Sequence, residues 1–223
     1  MLTKMIHTIT AAPERYGSQK WDYRLSGNTL ELRVKEDYEE NPEAYRLGVI
    51  QIGQILQTID RHANEEGQSS QIQSFPNIEE SQLVALIRLH KLYRSPESNQ
   101  TLNGAVIDSK TPIGTILKSI ASHYGLFFHN HSGESLDTVR QLLESDDQII
   151  VPAGYYYSLC TTMDNPFLWL RVGQWIERVN QLLEETNTSS ISALTYKISK
   201  EERTALNAEF PNCSYVQALV HLV

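Results

Sequence analysis

The readable pattern begins with two short alternations, Trp21, Tyr23 and Leu25, then Leu30, Leu32 and Val34, separated by Ser26-Gly27-Asn28. Period-two runs around a glycine-containing turn predict a β-hairpin, with a short helix ahead of it. The spacing then changes. Asn41-Pro42-Glu43 joins a capping side chain, a proline suited to the first helical position and an early negative charge. Such a start predicts a helix, and Leu47, Ile50, Ile55 and Ile59 keep helical spacing, carrying it to about His62. Residues 67–74 are polar and read as a loop, whereas 83–87 form a short apolar run suited to a buried strand.

Residues 93–103 read as a linker. Thr111-Pro112 repeats the cap-plus-proline start, and Gly125 stands where a helix end wants a left-handed residue. A strand over 126–130, a helix over 136–143 and an aromatic-rich central strand over 155–162 follow. Asn165-Pro166 opens a long helix carrying Leu170, Trp175, Ile176, Val179 and Leu183, with Asn187 closing it. Ser199 and Glu202 have capping-box spacing, and 215–223 form a terminal strand with Val216, Ala218, Val220 and Leu222 on one face. Helices and strands alternate without a repeat of 20–50 residues, which favours an α/β or α+β layer fold; the length suits one domain over 1–223, with two small domains as the alternative.

Composition narrows the function. The formal charge is −8, with 19 basic against 27 acidic residues, and no basic stripe of the kind a nucleic-acid binder requires. No apolar run reaches the roughly 20 residues of a membrane span, and the N-terminus lacks a signal-peptide pattern. A cytoplasmic protein with no membrane or nucleic-acid partner is expected. Cys160 and Cys213 are too few for a disulfide scaffold and read as buried small hydrophobes.

The phosphate-cradling glycine loops and the Gly-x-Ser-x-Gly elbow do not occur. His129 and His131, two apart on a strand, would share a face and could take a cation. No third ligand lies nearby in sequence, and surface or interface histidines are the competing reading. Glu36, Asp37, Glu39 and Glu40 read as a solvated acidic run beside a helix start.

The segment Ala12-Pro13-Glu14-Arg15-Tyr16-Gly17-Ser18-Gln19-Lys20-Trp21 resembles the nitroreductase segment Ala-Pro-Ser-x-x-Asn-x-Gln-Pro-Trp. After the hairpin come Arg46 and Gly53, and then Asp164-Asn165-Pro166-Phe167-Leu168-Trp169-Leu170-Arg171-Val172-Gly173. That last stretch is similar to the family's Asp-x-x-x-x-Trp-Leu-Arg-x-Gly segment. In this order the motifs resemble a compact, Acg-like branch of the nitroreductase superfamily.

The resemblance implies an α/β sandwich with a central, mostly antiparallel sheet flanked by helices, assembled as a homodimer around FMN. By position it nominates Pro13, Arg15, Gly17 and Gln19 for the flavin, and Lys110 for its phosphate. Glu14 replaces the usual serine and Gly17 the usual asparagine. The implied activity is an FMN-dependent oxidoreductase that uses NAD(P)H to reduce a small-molecule acceptor, a nitroaromatic or a quinone. The alternative is a flavin-sequestering or cofactor-free binding protein on the same dimer scaffold. Gly53, Ile55 and Trp175 are the expected interface residues, because the central helices are apolar on more than one face.

Overall fold

In a computed structural model of the chain, residues 2–10, 19–91, 112–131, 137–141, 154–186, 191–209 and 215–222 are described. The first half runs α1 (Leu2–Thr10), β1 (Trp21–Ser26), β2 (Thr29–Val34), α2 (Pro42–Glu65), β3 (Gln68–Ser74) and β4 (Leu83–Lys91). The second runs α3 (Ile113–His123), β5 (Phe127–His131), β6 (Tyr155–Thr161), α4 (Pro166–Thr186), β7 (Ile191–Thr195), α5 (Lys200–Glu209) and β8 (Tyr215–Leu222).

Each half builds its own four-stranded antiparallel sheet. The orders are β1-β2-β4-β3 and β5-β6-β8-β7. Strand for strand these are one topology, helix–strand–strand–helix–strand–strand with the last strand second from the edge; among the described residues α5 and a helical turn at 137–141 are additions to the second copy. The α+β class and the antiparallel pairing agree with the sequence reading. The single central sheet expected from the family resemblance is replaced by two sheets.

The helix starts follow the local chemistry. Asn41 Oδ1 accepts from the Ala44 N–H at 3.1 Å, and Asn165 Oδ1 accepts from the Leu168 N–H at 3.1 Å, each ahead of a proline. Ser199 and Glu202 form the reciprocal capping box, with Ser199 N–H donating to Glu202 at 2.7 Å and Glu202 N–H to Ser199 Oγ at 3.2 Å. Gly125 has φ +69° and ends α3 as expected.

Two strands were not expected. Residues 68–74 are an edge strand, paired from Gln68↔Lys91 to Ser74↔Ala85. Their polarity suits an edge that turns one side to water, and Ile72 faces Ile87 across the ladder. Ile191–Thr195 pairs with β8, so the chain's last strand lies inside its sheet and is buried from Val216 to Leu222. The helix expected over 136–143 is seen at 137–141, while the 93–103 linker and Asn187 lie outside the described residues.

The core closes where α2 meets α4. A β-carbon added at Gly53 would fall 3.0 Å from Gly173 Cα and closer still to the Leu170 carbonyl oxygen. One at Gly173 would fall 2.9 Å from Gly53 Cα and closer still to the Ile50 oxygen. Each glycine thus faces the other and the carbonyl three residues before it, the reciprocity of a local two-fold axis. Gly53, Ile55 and Trp175 are buried inside the chain at this crossing and its flanks. The cover that had suggested a second subunit is supplied by the same chain.

Candidate functional site

A cleft of about 510 Å³ opens between the start of α3 and the second sheet, lined by Pro112, Ile113, Gly114, Thr115, Lys118, Phe128, Asn130, Tyr155, Tyr157 and Leu222. Its size lies within the range of small-molecule sites. The buried Phe128 ring stacks on Tyr157 at 4.6 Å and 10°, so aromatic rings border the cleft, and Tyr155 is 64% exposed beside them.

The polar side comes from α3. Pro112 caps the helix and supplies no side-chain hydrogen bond; its carbonyl accepts from the Thr115 N–H at 2.9 Å, so the Ile113 and Gly114 N–H groups at the very start have no intrahelical acceptor. Lys118 adds a positive charge about one turn on. Gly114 lets Tyr157 come close: a β-carbon there would meet the phenol oxygen at 2.9 Å. Burial, then neighbouring Tyr155, raises the Tyr157 pKa, so at neutral pH this phenol is a proton donor. Stacking surface and anion-binding groups therefore share one cleft.

Of the residues nominated for a flavin, Gln19 alone is among the described residues. Pro13, Arg15, Gly17 and Lys110 lie outside the described residues. Gln19 is exposed at the entry to β1, donates through Nε2 to the Trp21 carbonyl at 2.9 Å, and does not line the cleft. Trp21 is 1% exposed and belongs to the core of the first half.

The other family-like motif builds a joint between the halves. Asp164 Oδ1 accepts from Trp169 Nε1 at 2.6 Å, Gln217 Nε2 at 2.9 Å and Arg203 Nη1 at 3.5 Å. Arg46, fully buried, donates to Gln217 Oε1 and to the Gln217 and Tyr196 carbonyls. Arg203 also pairs with Glu43 at 2.7 Å. Burial, and then the Arg203 charge, lowers the Arg46 pKa to about 9. These bonds tie α2 to α4, α5 and β8, so they hold structure.

The paired histidines also resolve. His131 Nε2 lies 2.9 Å from Ser158 Oγ within the second sheet, and burial, with help from His129, lowers its pKa to about 4. Among the described residues no group of three or more metal-binding side chains occurs. Cys160 corrects the sequence reading: it is buried but disulfide-bonded, and the chain's other cysteine, Cys213, lies outside the described residues. Among the described residues no helix is long and apolar enough to cross a membrane.

Sequence reasoning found the start of α3 and the aromatic strand but not their meeting. The missed residues are Lys118, Phe128, Tyr155 and Tyr157. The sequence reading placed the cap at Thr111 with Pro112 as the first helical residue, whereas the structure puts Pro112 itself at the cap position. No protein-family model matches the chain, and no curated protein sequence matches it.

Proposed function

We propose that this protein is a binding protein that takes a flat aromatic ligand bearing an anionic group in the cleft between α3 and the second sheet. The observation that carries the reading is the joint lining of that cleft: the Phe128–Tyr157 stack and exposed Tyr155 on one side, the uncapped helix start and Lys118 on the other. The ring system would lie against these aromatic rings and the anion would take the backbone N–H groups and Lys118.

FMN is the first ligand to test, because the nitroreductase resemblance names it and the cleft residues suit its ring and phosphate. When bound, FMN would supply hydride chemistry; the residues described here would orient it and shield one face. The oxidoreductase reading, with NAD(P)H as donor, draws on one further fact of sequence: Lys110 stands two residues before Pro112, which lines the cleft. A homodimer is not required to cover the central helices. A cytoplasmic setting sits poorly with the disulfide at Cys160, since reducing compartments keep thiols free.

The test is titration with FMN, read by quenching of flavin fluorescence and by the visible spectrum. Saturable binding without turnover of NADH or NADPH in the presence of a quinone is the expected result. Turnover would transfer the case to the oxidoreductase reading. A protein that binds neither FMN nor other aromatic phosphates would overturn the cleft as a site.

A further inference from the structure

Away from that cleft, three segments bring apolar side chains to one surface. The Tyr38 ring, 46% exposed, lies 5.5 Å from Tyr45 and 6.3 Å from Trp169. Phe167, 57% exposed, stands two residues before Trp169 and packs at 4.6 Å against Phe75. Phe75 opens the β3–β4 loop, whose tip is Ile78 at 97% exposed, and Met163 is exposed just before α4. The loops are fastened together: Tyr45 OH donates to the Ser81 carbonyl at 2.7 Å, and Ser81 Oγ donates to Asp37 at 3.4 Å.

An isoleucine wholly in water is a poor solution for a monomer, yet the loop holds it out. Asn77 Oδ1 accepts from the Glu79 N–H at 3.1 Å and the Asn77 carbonyl from the Glu80 N–H at 3.3 Å, and Glu80 is ion-paired to Arg33. Phe75 has φ +48°, a conformation bulky residues rarely adopt, and it keeps its ring on Phe167. Apolar surface displayed on a fixed frame is the usual mark of a contact site.

The charge around it is mainly acidic. Glu36, Asp37, Glu39 and Glu40 flank Tyr38, Glu79 and Glu80 follow Ile78, and Asp164 adjoins Met163. Arg33 pairs with Glu80 and Glu31, and Arg203 with Glu43 and Asp164, which leaves Glu36, Asp37, Glu39, Glu40 and Glu79 against the exposed Lys35. We infer that this acid-rimmed apolar surface, formed by Tyr38, Phe75, Ile78, Met163 and Phe167, docks a basic segment of a partner protein carrying apolar anchors. Apolar anchors would cover Ile78 and Phe167 while Lys or Arg flanks face the carboxylates. Nucleic acid and anionic membranes have the wrong sign, and a second copy of this chain would bring the same acidic rim.

The probe is a fluorescein-labelled amphipathic peptide of leucine and lysine, compared with its leucine–glutamate counterpart by fluorescence anisotropy. The lysine peptide should bind and weaken at least tenfold between low and high salt, while the glutamate peptide should not bind. Ile78→Asp and Phe167→Asp should each lower affinity tenfold or more, with circular dichroism and FMN titration unchanged. Glu39→Lys with Glu40→Lys should lower it about tenfold. Equal binding of both peptides, no binding of either, or affinity untouched by Ile78→Asp overturns the inference. So does self-association, by sedimentation, that Ile78→Asp abolishes.

Discussion

Gly53→Ala places one methyl group between two helix backbones. The new carbon would sit 3.0 Å from Gly173 Cα and 3.1 Å from the Gln174 nitrogen, and nearer still to the Leu170 carbonyl. A carbon–oxygen contact settles at about 3.3–3.6 Å, so α2 and α4 must part by on the order of 1 Å at their crossing. No side chain can swing aside, because the obstacles are backbone. Overpacking of this kind costs roughly 1–3 kcal/mol and occasionally more, against about 1 kcal/mol that alanine returns in helix propensity. Because the obstacles are backbone, the upper end of that range applies, about 3 kcal/mol less about 1, and the crossing should lose about 2 kcal/mol net. In urea melts followed by tryptophan fluorescence, the midpoint should fall with the slope unchanged. Gly173→Ala should do the same by the reciprocal contact, and the double variant should lose clearly less than the sum, since one separation relieves both clashes. Unchanged or raised stability in Gly53→Ala, or strict additivity in the pair, would refute the close crossing.

Other outcomes follow from buried polar groups and the cleft. His131 has a folded pKa of about 4 against an ordinary 6.5; below 6.5 the unfolded chain binds the proton first, so stability present above about pH 6.5 is lost as pH falls towards 4. With allowance for partial solvent screening the loss is on the order of 2 kcal/mol, and His131→Gln should flatten that part of a pH–stability profile from chemical denaturation. Arg46→Met would remove the guanidinium that bridges Gln217 and the Tyr196 carbonyl, costing about 3 kcal/mol, and calorimetry should show the melting temperature falling by roughly 6–12 °C. Lys118→Glu should weaken FMN binding about tenfold in the fluorescence titration while leaving the melting temperature in place; unchanged affinity would remove Lys118 from the site.

Much of the secondary structure was legible because local chemistry and tertiary packing agree. The hairpin of Trp21 to Val34 alternates cleanly, and each of the long helices announces itself with asparagine and proline. The polar β3 was missed because its strand state comes from pairing with β4 rather than from its own residues. The duplicated topology was hidden for a related reason. The two Asn-Pro starts are its visible trace, but the second copy carries α5 and longer connections that blur any fixed period. The cleft escaped because its lining is spread from Pro112 to Leu222 and converges only when β6 and β8 pair. Gly53 and Trp175 were expected at a homodimer interface; both are buried within the chain, Gly53 against Gly173 and Trp175 against Leu117 and Phe128, contacts too distant in sequence to be read there.

That crossing also sets a schedule for synthesis. The first sheet has all its strands once Lys91 has been made, but α2 meets its cover only when Gly173 has emerged, roughly 80 residues later. At about 5–20 residues per second, the ridge bearing Ile50 and Gly53 waits for roughly 4–16 s on the ribosome with nothing of its own chain to lie against. During that interval the nascent first half offers a helix-sized apolar groove, and whatever attends the emerging chain must shield it until α4 arrives.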